Sequence, residues 1–232
     1  MARLLHTVVD MDRRATICDV VLPCRDEAAA LPTVLAGLPE GYAAIVVDNG
    51  SSDGTGEVAR SLGATVVRED RIGYGAAVHA GVLAATAELV AVVDGDGSMD
   101  LADLPPLTDM VRRGEATMAV GRRRPTGRGV WPWHARLGTR LVLRRLRRVS
   151  GLALGDLAPM RVCRRGDLIA LDVRDRRFGY PVELMLRAAR AGWSIGEVDI
   201  AYGPRAAGTR SKVSGSLRGT VRAARDFARV TS

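Results

Sequence analysis

Asp94-Gly95-Asp96 has the clearest chemical potential in this chain. Two carboxylates at i and i+2, with a glycine between them that lets the backbone turn, directly follow the apolar run Leu89 to Val93. Such a pair can hold one divalent cation, because Mg²⁺ and Mn²⁺ take oxygen ligands and leave positions for water and substrate phosphates. Asp-x-Asp alone also occurs in ordinary loops; its place after an apolar run gives it weight. A second polar segment, Asp48-Asn49-Gly50-Ser51-Ser52-Asp53-Gly54-Thr55, follows the apolar stretch Ala43 to Val47. Asp48 can accept hydrogen bonds from a base or ribose, while Ser51, Ser52, Asp53 and Thr55 can cap a following helix, with Asp53 read as a cap in preference to a ligand. A third, Pro23-Cys24-Arg25-Asp26-Glu27, follows Ile17 to Leu22.

These segments need a scaffold that brings strand ends together. Short apolar runs at Ile17 to Leu22, Ala43 to Val47, Ala64 to Val67, Leu89 to Val93 and Thr117 to Val120 read as buried strands. Stretches of helical period lie between them, at Ala28 to Gly37, Thr55 to Leu62 and Ala76 to Thr86. This alternation predicts an α/β domain with a mostly parallel sheet flanked by helices, whose ligands sit beyond the carboxyl ends of the strands. Three acidic clusters then converge on one edge, an arrangement that needs donors or a cation to offset the crowding of like charges. Further along, a helix is expected over Val182 to Ala191 and a strand over Ser194 to Ile200.

With 232 residues and 47% hydrophobic content, the chain can bury the core of one domain. The formal charge of +8 suits an anionic partner or reflects an arginine-rich composition of no functional meaning. Cys18, Cys24 and Cys163 are odd in number and lack metal-ligand spacing, which fits a reducing, cytoplasmic setting. No apolar stretch approaches the roughly 20 residues needed to span a bilayer, and the first 14 residues lack a signal-type apolar centre. Between Arg112 and Arg148 arginines face a single acid, Glu115, and His134 to Val149 has helical spacing with Trp131 and Trp133 just ahead. That helix is either a solvated face over packed tryptophans or an interfacial surface for lipid head groups or phosphates.

Taken together, Leu22 to Glu27, Val47 to Thr55, Gly73-Tyr74-Gly75-Ala76-Ala77 and Asp94-Gly95-Asp96 resemble the family-two inverting glycosyltransferases of GT-A fold, most of all the polyprenyl-phosphate and dolichyl-phosphate sugar synthases. The likeness continues through Gly121-Arg122, Trp133 with Arg136, Asp156 to Arg161, Glu183, Gly196-Glu197-Val198, and Arg205 with Gly208, Ser211 and Lys212. It implies a catalytic domain over 16–215, divided near residue 121 into donor and acceptor parts, between an extension over 1–15 and a basic helix over 216–232. It implies a UDP- or GDP-sugar donor in a pocket of Pro23, Cys24, Glu27, Asp48 and Gly75, with Mg²⁺ or Mn²⁺ on Asp94 and Asp96, and Arg205, Ser211 and Lys212 closing over phosphates. Positive charge there would stabilise the departing diphosphate.

The acceptor side is more open. A hydroxyl acceptor needs a carboxylate base, whereas a phosphate arrives ionised and needs cations to position it. Asp156 is placed for the base, or else caps a helix or pairs with Arg161, which is itself a catalytic candidate. Arg122, Arg136 and Arg140 would hold a polyprenyl phosphate at the inner membrane surface. A soluble small-molecule or glycan hydroxyl is the alternative, favoured by the departure of Leu157-Ala158-Pro159-Met160 from the pattern usual before that arginine. Asn49 also departs, standing where an aspartate is usual, which removes a charge near the base. A nucleotidyltransferase lacks support because Leu22 to Glu27 has no glycine-rich phosphate loop, and a nucleic-acid-binding role rests on arginine content alone; no nucleic-acid partner is expected.

Overall fold

The computed structural model describes residues 16–157 and 159–206. The expected N-terminal extension, Ser211 and Lys212, and the C-terminal basic helix lie outside the described residues. Seven strands, β1 (Cys18–Cys24), β2 (Tyr42–Asp48), β3 (Thr65–Arg68), β4 (Leu89–Val93), β5 (Met118–Pro125), β6 (Met160–Arg164) and β7 (Ile195–Tyr202), form one sheet ordered β3-β2-β1-β4-β6-β5-β7. Only β6 runs against its neighbours, β4 and β5. The carboxyl ends of β1, β2, β4, β5 and β7 therefore meet at one edge, where the start of β6 joins them.

Among the described residues seven helices cover the sheet: α1 (Leu31–Ala36), α2 (Thr55–Ser61), α3 (Tyr74–Ala84), α4 (Leu104–Arg112), α5 (Trp133–Ser150), α6 (Arg165–Ala170) and α7 (Tyr180–Arg190). Alternation along each strand divides the core into two layers. Cys18, Val20, Leu22 and Cys24 of β1 pack with Leu31 and Val34 of α1 and Leu104 and Leu107 of α4. Val21 joins Val90 and Val92 of β4 under Val78 and Val82 of α3 and Val182 and Met185 of α7. Asp19, the polar member of β1, is 4% exposed and accepts hydrogen bonds from the backbone of Thr86 and Ala87, so it ties the α3–β4 turn to the sheet.

The strands expected from apolar runs are present, with ends shifted by a residue or two, except that β5 runs on from Val120 to Pro125. Its extension contains Arg122, Arg123 and Arg124 and is held by a parallel register with β7, from Met118↔Ile195 to Pro125↔Tyr202. β6, α4 and α6 are additions to the sequence reading. The apolar character of β6 is interrupted by Arg161, and α4 starts Leu104-Pro105-Pro106, acceptable because prolines sit in the first turn, where N–H groups have no helical partner.

Tight contact between α3 and the sheet depends on Gly81. A β-carbon there would lie 2.3 Å from Cγ1 of Val21 and 2.9 Å from Cγ2 of Val47, both fully buried. Gly81→Val should destabilise the domain by about 1–3 kcal/mol through overpacking. Denaturant unfolding checks this; a midpoint unchanged from the parent chain would show that the helix can move away at no cost.

Candidate active site

The donor-side edge is built by two loops that fasten each other. After β1 the chain turns at Asp26, which has a positive φ of 53° and accepts from the backbone N–H and the hydroxyl of Ser52 through Oδ1. Asp53 accepts from Thr55 through Oδ1 and from the backbone N–H of Ala28 through Oδ2. The Thr55 hydroxyl in turn accepts from the backbone N–H of Glu27. Asp53 is thus a structural clamp between loops. Asp48 accepts from the Ser51 backbone, and its Oδ2 lies over Gly56 in the first turn of α2, where the helix dipole favours negative charge.

Asn49 has a different role from the one its charge suggested. It is 5% exposed, its amide donates to the carbonyls of Glu69 and Arg71 at 2.8 and 2.9 Å, and its Oδ1 accepts from the Gly73 backbone at 2.8 Å. All three bonds go to the β3–α3 loop, so the residue staples that loop to the end of β2. An aspartate could make only the last of them.

At the centre, a β-carbon on Gly95 would come within 2.4 Å of Cys24 Sγ, so the absence of a side chain there lets the Asp94-Gly95-Asp96 turn settle onto the first strand. The Cys24 thiol is 1% exposed and is pushed well up by burial and then by the charges of Glu27, Asp48, Asp94 and Asp96. The charges of all four acids predicted for the donor pocket are thus felt at this one buried sulfur. Its burial also corrects the placement of Cys24, whose side chain packs under the turn. Asp94 is pushed up to about 6 by burial and by Asp96, against the opposing pull of Arg161, Arg123 and Arg205.

Each of those guanidiniums has a defined seat. Arg161 is 2% exposed on β6, donates to the Tyr74 hydroxyl at 2.7 Å and lies 5.8 and 5.7 Å from the Tyr74 and Tyr180 ring centres. It is a buried counter-charge to Asp94 and not a group exposed to substrate. Arg205 donates to Asp96 Oδ2, while Asp96 Oδ1 accepts from the backbone and hydroxyl of Ser98. The segment carrying Arg205 is docked on the same turn through Gly203 N–H to the Ser98 carbonyl and Ala206 N–H to the Asp96 carbonyl.

Gly75 is also placed differently from expectation. Its backbone donates to the Arg177 carbonyl, and a β-carbon would meet the Asp175 carbonyl at 2.3 Å, so it admits the loop before α7 and does not line the edge. Pro23 remains half-buried where β1 ends.

Beside this acidic edge, beyond the end of β5, is a cavity of about 250 Å³ lined by Arg122, Arg123, Arg124, Pro125, Trp131, Arg136, Thr139, Arg140, Leu143 and Gly155. Strand alternation sorts its arginines. Arg122 and Arg124 both bind Asp199 of β7, at 2.5 and 2.8 Å, whereas Arg123 points to the opposite face. There it makes a bidentate pair with Asp156 at 2.7 and 2.6 Å and lies 4.1 Å from the Trp131 ring centre and 5.2 Å from that of Tyr202. Arg123 is the site residue missed from sequence; the strand period, counted from Arg122, was the available signal. Asp156 is 1% exposed and also accepts from the backbone of Arg123 and Leu157. Its partner is Arg123, neither a helix end nor Arg161, the alternatives to a base, and both its oxygens are engaged, so as placed it anchors the cavity wall and does not present a free base.

The Asp94 and Asp96 pair suits a cation that needs few protein ligands. Crowding raises Asp94, and among the described residues no third acid, histidine or cysteine completes a metal-binding cluster. That is the donor set from which Mg²⁺ is normally held, with water and phosphates filling the remaining positions.

Comparison with known proteins agrees with this geometry. Residues 19–171 match Glycosyl transferase family 2, and the chain belongs to that family. It is 56% identical to an uncharacterized glycosyltransferase of Mycobacterium tuberculosis over 92% of this chain and 97% of the other. It is 33% identical to a dolichyl-phosphate hexose transferase of Haloferax volcanii, covering 82% and 85% of the two chains. Among solved structures it is similar to glucosyl-3-phosphoglycerate synthase of M. tuberculosis in complex with Mn²⁺, uridine diphosphate and glucosyl-3-phosphoglycerate, with a TM-score of 0.73, 25% identity and coverage of 92% and 77%. The protein is accordingly a glycosyltransferase with the single-domain GT-A architecture.

Asn49→Asp should lower stability by about 1–3 kcal/mol, since a carboxylate would face two carbonyls left without donors. Amide hydrogen exchange should quicken at residues 71 and 73. Unchanged protection there would show that Asn49 does not hold the loop.

Proposed function

We propose that this glycosyltransferase moves a sugar from a nucleoside-diphosphate donor to the phosphate of a polyprenyl phosphate. The observation that carries the acceptor is the composition of the β5–α5 cavity: no carboxylate lines it, and Arg136 and Arg140 stand on its rim beside Arg123, while Arg122, expected to bind the acceptor, is turned with Arg124 onto Asp199. A hydroxyl acceptor would have to lose a proton to a base, and Asp156, the carboxylate closest in sequence to that wall, is held by Arg123. A phosphate needs no base. Arg123, with Arg136 and Arg140 on the rim, supplies the cations that hold and orient it.

On the donor side, Glu27 and Asp48 would receive the nucleoside, and Asp94 and Asp96 would hold Mg²⁺ or Mn²⁺. When bound, that cation would neutralise charge on the departing diphosphate. Arg205, now on Asp96, would exchange that partner for the diphosphate, and the family resemblance gives Ser211 and Lys212, outside the described residues, the same role. A phosphate oxygen attacks the anomeric carbon from the face opposite the diphosphate. The bond to the leaving oxygen breaks with its electron pair going to the diphosphate, and the configuration inverts. Uridine diphosphate in the related synthase structure supports a UDP-sugar, and the H. volcanii dolichyl-phosphate hexose transferase supports a polyprenyl-phosphate acceptor.

A second reading has its own support. The related synthase was solved with a phosphorylated glycerate product, so the arginine cavity could take a small soluble phosphate ester. Incubation of the chain with UDP- and GDP-sugars, Mn²⁺ and either a polyprenyl phosphate or 3-phosphoglycerate separates the two. Lipid-linked sugar is the expected product; donor hydrolysis with no lipid product would overturn the main reading.

Two substitutions test the residues. Asp96→Ala should abolish metal-dependent donor turnover while leaving thermal unfolding intact, and activity that survives it, or survives excess chelator, would refute the metal role. Arg123→Ala should weaken the acceptor more than the donor, raising the acceptor KM by about tenfold or more for loss of a charge-assisted contact. A rise confined to the donor KM would place Arg123 elsewhere in the reaction.

A further inference from the structure

The longest helix among the described residues, α5, leaves an apolar ridge uncovered. Trp133 is 76% exposed, Leu137 46% and Leu141 56%, whereas Leu146 and half-buried Val142 on the opposite side meet the core. The three ridge residues are spaced by four, so each is displaced by only about 40° around the axis and together they run about 12 Å along it. Exposed Arg144 and Arg148 fall within the same arc. Arg136 and Arg140 stand on one edge of it, and that edge is the rim of the arginine cavity.

We propose that this face of α5 docks on an anionic lipid bilayer, with Trp133, Leu137 and Leu141 entering the head-group boundary and Arg144 and Arg148 meeting lipid phosphates. The inference deepens the lipid-phosphate reading of the cavity and rests on it for its purpose, but not for its evidence. Charge complementarity selects the occupant. Leucines and an indole bordered by arginines gain from an apolar layer beneath a negatively charged surface, where long cationic side chains reach phosphates while their stems stay apolar. Nucleic acid would use the arginines and leave the ridge in water. No helix among the described residues is long and apolar enough to cross a membrane, so contact through this face would lie in the plane of the interface. Since the ridge borders the cavity through Arg136 and Arg140, a lipid phosphate could enter the site from the bilayer surface without leaving it.

Sedimentation of the full chain with vesicles tests the surface. Vesicles of phosphatidylcholine with phosphatidylglycerol should bind at least about tenfold more protein than phosphatidylcholine alone. The double variant Leu137→Asp/Leu141→Asp should lose that binding, and Arg144→Gln/Arg148→Gln should weaken it by about fivefold per arginine. Both should unfold at the parent temperature and still glycosylate a short-chain, water-soluble polyprenyl phosphate. Parent protein left in the supernatant overturns the proposal, as does a leucine variant that binds as tightly as the parent, or a chain that binds duplex DNA and ignores vesicles. Vesicle binding without a lipid-linked product would sustain the docking surface and remove the acceptor reading. Turnover of the short-chain acceptor without vesicle binding would do the reverse.

Discussion

Asp94 is a partly covered carboxylate at the end of a strand buried along its whole length, beside a second acid, and the fold can hold it there because positive charge approaches from several sides. Arg161 lies beneath it in the sheet, Arg123 beside it on β5, and Arg205 reaches Asp96 from the segment after β7. Bringing these charges together is what the reversed strand accomplishes. β6 sits between β4 and β5, so its Arg161 is in register with both Val92 and Val120. The aromatic rings of Tyr74 and Tyr180 then enclose the guanidinium and keep it from water, where its field reaches further.

The site is divided by charge as a consequence. Acids gather where β1, β2 and β4 end, and arginines gather where β5 ends and α5 begins. A transferred group would cross the line between a half that can hold a cation and a half that can hold an anion. The pair of Arg123 and Asp156 lies on that line, and stacking of Arg123 against Trp131 and Tyr202 fixes its direction. Reagents of opposite electrostatic need can thus be kept a short distance apart without competing for the same side chains.

How far the sequence could be read depended on how local each cause was. β1, β2 and β4 were legible because each centres on an apolar run that the core buries, whereas β3 was expected as a buried strand and is an edge strand with no buried residue, signalled by Val66 and Val67 alone. β6 was hidden because the arginine at its second position is accommodated by two tyrosines, one 87 positions away in the chain. β5 was cut short at Val120 because three successive arginines end its apolar run, while Asp199, the partner of Arg122 and Arg124, lies on a strand more than 70 residues later. Asp156 was singled out as a base, a helix cap or a partner of Arg161, and its actual partner Arg123, 33 residues earlier, was not among these for the same reason. Asp53 was read as a helix cap in preference to a ligand; its bond to Thr55 is local, but Gly54 holds the cap position and Asp53 ties two loops together instead.

Asn49 precedes Gly50, and an asparagine before glycine is chemically perishable because the next backbone nitrogen can attack its amide carbon. Here that amide is buried and held at both ends by the loop over residues 69–73. Its ageing is therefore tied to how often the loop lets go. Conversion to a carboxylate would remove the very bonds that slowed it, so that damage at this one position, once begun, favours the open state in which the protein's working life is shortest.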